Sequence, residues 1–171
     1  MSYNEFGRRA LIKSAYICVG ASLIFWIVTA TPADAEQTDA RLDGLFQQLR
    51  NSNNSTQARI IEQEIWNIWF HYEGAGEEVA SLLSRGRYAI ASEQLEFAEN
   101  LYSRLTEIAP EFAEGWNRRA TVRYMRGNFK GSIADIETTL KLEPRHFGAI
   151  SGLGLCRIAL EDLEGAARAF R

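Results

Sequence analysis

The chain has 171 residues, with 19 Lys and Arg against 22 Asp and Glu, a formal net charge of −3. So mild a balance excludes a dedicated nucleic-acid binder, which carries a basic excess. The length suits one domain of ordinary size, and two cysteines, Cys18 and Cys156, are too few for a disulfide-stapled scaffold.

Residues 1–35 read as an export signal. Arg8, Arg9 and Lys13 form a positive head, an apolar run from about Ala15 to Ala30 follows, and Ala33-Asp34-Ala35 supplies a small-residue exit. A run of roughly 16 apolar residues is short for a spanning helix. An inner-membrane anchor over 15–30 is the alternative. Gly7-Arg8-Arg9-Ala10-Leu11-Ile12-Lys13 resembles the twin-arginine export motif, whereas Phe25-Trp26-Ile27-Val28 is greasier than such signals usually are. Both that route and the general secretory route stay open. Ile17 before Cys18 is too large for a lipobox. Three basic (Arg8, Arg9, Lys13) and two acidic residues (Glu5, Asp34) leave with the signal, so 16 basic face 20 acidic, a net −4. Cys156 is then alone and reads as a small buried apolar residue, since no His or Lys sits beside it to activate a thiol. The expected location is the periplasm of a Gram-negative bacterium.

Beyond the signal the apolar spacing is helical throughout and no stretch alternates with period two, so the fold class is all-α. Leu42, Leu45, Phe46 and Leu49 make a short helix, Asn51 to Ser55 is a polar breaker, and a longer helix runs from about Thr56 to Tyr72. Ile61, Ile65, Ile68 and Trp69 form one stripe of that helix, joined by Trp66 and Tyr72. Residues 36–76 are read as an N-terminal hairpin that caps the stack by docking this stripe onto the first repeat. Glu73-Gly74-Ala75-Gly76 closes it.

From residue 77 the chain repeats at a stride of 34. Leu82, Trp116 and Ile150 correspond, as do Gly86, Ala120 and Gly154; Ala98, Ser132 and Ala166; Tyr102, Ile136 and Phe170; and Pro110 with Pro144. Such a period marks helix-turn-helix units stacked as a solenoid. The spacing predicts helices at 77–91 and 92–109, 112–126 and 129–142, with a third pair beginning at 145 and turning near Glu161-Asp162. Each proline follows a helix it could not continue. The units are 77–110, 111–144 and 145–171. The third is incomplete, and Leu153, Ile158, Leu160, Leu163 and Phe170 are expected to be poorly covered: either the chain is a shortened version of a longer protein or a second copy buries this end, with marginal stability or self-association as the expected outcome.

This pattern resembles the tetratricopeptide repeat family over roughly Val79 to Arg171. It departs at Arg85 and Arg119, where the family prefers leucine, at Arg123 and Arg157, which replace an aromatic, and at Thr139, which replaces alanine. The segments WNRRAT and LEPRHFGA are similar to ones in exported bacterial repeat proteins. The resemblance implies a right-handed α-solenoid whose first helices line a concave groove. In that groove it exposes Glu114, Asn117, Arg118, Thr121 and Tyr124, with Arg87 from the first repeat and Ser151 and Leu155 from the third. A mixed polar and aromatic wall suits an extended peptide or a partner helix. The family's carboxylate clamp is not expected, because Leu83, Arg87, Gly148 and Gly152 stand at its other positions and only Asn117 agrees.

Arg118, Arg119, Arg123 and Arg126 form a basic band, read as salt bridging to neighbours such as Glu107, Glu111, Asp135 and Glu137, with an anion or acidic-partner site as the alternative. Signals for catalysis are weak. Gly148 to Gly154 lacks the Gly-Lys-Ser/Thr of a phosphate loop, and its glycines read as packing contacts. His71 and His146 have no second ligand at metal spacing, and His146 reads as bonding backbone at a helix start. No serine sits in a nucleophile motif. No cofactor, metal or catalytic residue is expected. The reading is an exported, non-catalytic adaptor that binds a polypeptide, with an accessory subunit of an envelope enzyme or a self-associating structural protein as alternatives.

Overall fold

A computed structural model describes residues 39–71 and 76–170; the export-signal reading of 1–35 lies outside them. Among the described residues there are eight helices and no strand. The hairpin is α1 (Arg41–Asn51) and α2 (Ser55–Phe70). Three helix pairs follow: α3 (Glu77–Ala91) with α4 (Leu95–Ile108), α5 (Ala113–Met125) with α6 (Phe129–Leu142), and α7 (Phe147–Ala159) with α8 (Leu163–Ala169). From α3 to α8 successive helices pack on one another and α5 also packs on α7, which is the neighbour-to-neighbour contact of an all-α solenoid; α1 packs on α2. No helix among the described residues is long and apolar enough to cross a membrane.

The stride of 34 is written into the backbone. The second helices start at Leu95, Phe129 and Leu163. Each is preceded by a residue with positive φ: Glu93 at 59°, Gly127 at 76° and Glu161 at 62°. At each turn the next amide donates five residues back, Gln94 to Ala89, Asn128 to Arg123 and Asp162 to Arg157. This is the Schellman closure, in which one left-handed residue returns orphan carbonyls of a helix end to hydrogen bonding. Asn128 and Asp162 then cap the following helix by accepting from the amides of Gly131 and Gly165, while Gln94 at the same place makes no side-chain cap.

Packing obeys the same register. Gly86 lies so close to the Tyr102 ring, and Gly154 to the Phe170 ring, that neither could carry a Cβ without displacing it. Ala120 is buried in one cluster with Ile136 at the equivalent place, and Ser132 Oγ donates to the Ala120 carbonyl at 2.8 Å. Gly152 lies against Ile136, so the glycines of α7 are packing contacts. Cys156 is buried, donates its thiol to Ser132 Oγ at 3.3 Å, and has its pKa pushed up by burial.

The departures from an apolar repeat form an ionic lattice. Arg119 binds Asp135 with two nitrogens at 2.9 and 2.8 Å, and Arg123 bridges Asp135 and Glu99 at 2.9 Å each. Arg126 also reaches Glu99. Salt bridging is thus the use of this band, with Asp135 as expected and Glu99 in addition. Around α8 the exposures differ from those of the middle repeat: Phe170 is 56% exposed whereas its counterpart Ile136 is 2% exposed, and Ile158, Leu160 and Leu163 are exposed too.

The docking of the hairpin differs from the expectation. Its stripe does not cap the first repeat; the partners of α2 in the stack are α5 and the segment around His146 to Gly148. The reason is chemical. Trp69 needs an acceptor for its indole N–H and ring faces to stack on, and residues 143–147 supply both.

Candidate functional site

Glu114 begins the site. It sits in the first turn of α5 with its side chain fully buried. Its Oε2 accepts from Asn117 Nδ2 at 2.9 Å and from His146 Nε2 at 3.0 Å. Its Oε1 lies 2.5 Å from Arg118 Nε, off the N–H axis, so that contact is an ion pair rather than an aligned hydrogen bond. All three neighbours are donors, the surroundings that a buried carboxylate requires.

His146 caps α7. Its Nδ1 accepts the Ala149 amide at 3.1 Å, so the ring proton is on Nε2 and points at Glu114. The reading of His146 as a backbone-bonding residue at a helix start holds. The imidazole stacks flat on the Trp69 indole, 4.3 Å between centroids and 11° between planes. Glu143 is equally buried: its Oε1 accepts from the Arg145 amide and Nε at 2.9 and 3.2 Å, and its Oε2 from Trp69 Nε1 at 3.4 Å. Arg145 continues to Asp43 of α1 at 2.6 Å and lies over the Phe46 ring.

Further along α2, Trp66 packs on Gly148, where a Cβ would come within 2.6 Å of the ring. Arg118 lies over Phe70 at 4.7 Å. Between α2 and α5 a cleft of about 400 Å³ remains, lined by Gln63, Trp66, Phe70, Asn117, Arg118, Thr121 and Gly148.

The structure brings Asn117, Arg118 and Thr121 together in this cleft. It corrects the placement of Glu114, which is buried beneath the wall rather than exposed on it. Tyr124 is partly buried and packs against Phe129, centroids 5.5 Å apart, at the edge of the cluster between α5 and α6. Arg87, Ser151 and Leu155 are exposed and do not line the cleft. Glu143 and Trp69 were not foreseen as site residues. A signal for Glu143 and His146 existed: the stride puts them where the first repeat has buried Ala109 and Phe112. A polar residue at an apolar repeat position asks for a partner. Among the described residues, no three His, Cys, Asp or Glu side chains gather as a metal site.

No protein-family model matches the chain. A TPR repeat-containing protein of Rhizobium etli is 38% identical over 114 residues, 66% of this chain and 54% of that protein. An SGT1 homologue of Oryza sativa subsp. japonica is 29% identical over 87 residues, 51% of this chain and 24% of the homologue. The matched stretch thus spans about half of the first relative and a quarter of the second.

Proposed function

We propose, from the chain's membership of the tetratricopeptide repeat family, that it is an exported, non-catalytic adaptor holding a polypeptide on its inner helical wall. The observation that carries the reading is the cleft in which Trp66 and Phe70 face Asn117, Arg118 and Thr121. Aromatic walls give a bound chain apolar contact, and amide, hydroxyl and guanidinium groups satisfy its backbone. The buried Glu114–His146 pair, closed off by Trp69, fits a role in fixing helices rather than in chemistry. Export to the periplasm rests on residues 1–35, and a mature N-terminus beginning at Met1 would remove it.

Affinity capture from the bacterial envelope tests the adaptor role. The full chain is expected to retain a stoichiometric protein that Thr121→Arg reduces by at least about tenfold, with helix content unchanged. Undiminished capture by Thr121→Arg overturns the cleft assignment. A second reading, self-association, is favoured by the exposed Leu163 and Phe170, and recovery of the chain alone would support it.

A further inference from the structure

We infer that the cleft between α2 and α5 reads the backbone of an extended, proline-free stretch of the partner polypeptide, with Asn117 and Thr121 each taking one of its N–H groups. The inference rests on the adaptor reading and decides which of two partner shapes the cleft fits, an extended chain or a helix.

The polarity of the cleft is fixed from below. Glu114 is fully buried and its carboxylate only accepts, so the Asn117 amide turns its NH2 inward to Oε2, at 2.9 Å. His146 donates to the same oxygen at 3.0 Å and holds the carboxylate in place. The Asn117 side-chain carbonyl is thereby left to the cleft, with no partner among the described residues. Thr121 is set the same way. Its hydroxyl gives its proton to the Asn117 main-chain carbonyl at 2.9 Å and keeps only lone pairs to offer. Across the cleft, Gln63 donates from Nε2 to Asn67 Oδ1 at 3.2 Å and also presents an oxygen. Arg118, with Nε against Glu114 and its guanidinium over Phe70, leaves its Nη groups for carbonyls.

Spacing then selects the occupant. Asn117 and Thr121 are four residues apart on one helix, a rise of about 6 Å. Along an extended chain the N–H groups of one edge recur every second residue, about 6.6 Å apart. The two spacings match. A partner helix offers no such row, because its N–H groups are already bonded to its own carbonyls, and both oxygens would be covered without a donor. A proline-rich segment lacks the N–H altogether, and a carboxylate would set oxygen against oxygen at both positions. Trp66 and Phe70, stacked with centroids 5.5 Å apart and 21° between planes, give apolar contact to the side chains of the bound stretch. The cleft keeps α2 where it is and uses its rings as a wall.

The probe is the peptide that a linear phage-displayed library yields on the full chain, resynthesised with a fluorescent label and measured by anisotropy. Thr121→Val keeps the shape of the side chain and removes its oxygen. It is expected to weaken binding by about three- to tenfold, whereas Thr121→Ser, which keeps the oxygen, stays within about twofold of wild type. Methylating single backbone nitrogens of the peptide is expected to weaken binding at least about tenfold at two positions two residues apart. This arm uses the unaltered chain and so does not depend on how a variant folds. Paired α-aminoisobutyrate residues, which favour a helix, should weaken binding as well. Equal affinity for wild type and Thr121→Val, indifference to methylation, or tighter binding of the helix-favouring peptide each overturns the inference. So does a library that yields no peptide released by Thr121→Arg. A peptide that Thr121→Arg releases, but that Thr121→Val and methylation leave bound, rejects the backbone reading and keeps the cleft. Methylation-sensitive binding with envelope capture indifferent to Thr121→Arg rejects the adaptor role and keeps the backbone reading.

Discussion

Glutamate holds a left-handed backbone at positions 93 and 161, where the middle repeat uses Gly127. A side chain in that region carries a steric penalty that glycine avoids, partly offset by the chain entropy glycine loses on folding. Glu93→Gly and Glu161→Gly are each expected to raise stability by about 0.5–1 kcal/mol in urea denaturation of the full chain. A loss of stability in both would mean that the turns are not equivalent. Little in the sequence announces these two positions, because glutamate carries no turn preference. Gly127-Asn128 was legible as a turn, and the stride then located the other two.

Ionic contacts join the elements α4, α5 and α6. Burial pushes the Glu99 carboxyl up, but the Arg123 and Arg126 guanidiniums outweigh it and hold the carboxyl below its ordinary value of 4.5. A carboxyl more acidic in the folded than in the unfolded chain adds stability above its unfolded value, and that stability is lost as pH falls through the folded one. Stability is therefore expected to decline below about pH 4.5, and Glu99→Gln should flatten part of that decline, as measured by denaturation at stepped pH. An unchanged acid slope in Glu99→Gln would place the titration elsewhere. Helix positions were legible for a plain reason: apolar spacing and two prolines fix where helices run and stop. Arginine at positions the family fills with leucine or aromatic residues was legible as pairing. Glu99 was missed because the stride does not show which acidic residue of α4 faces α5, and the pair is 24 residues apart in sequence.

The described residues form a stack of helix pairs with a hairpin laid against its second and third members. An apolar stripe in the sequence shows that a helix must dock, but tryptophan and isoleucine carry no address. The address was in the acceptor, Glu143, and in the absence of a side chain at Gly148. The cleft was legible only in part, since Asn117, Arg118 and Thr121 come from the repeat register while Gln63, Trp66 and Phe70 come from the hairpin. Hydrogen–deuterium exchange of the full chain carrying Gly148→Leu tests this arrangement most directly. A leucine there cannot coexist with Trp66 in its present place, so amides of α2 should exchange faster while those of α3 and α4 keep their protection. Unaltered protection of α2, or loss of protection in α3 instead, would contradict the seating of the hairpin on α5 and α7.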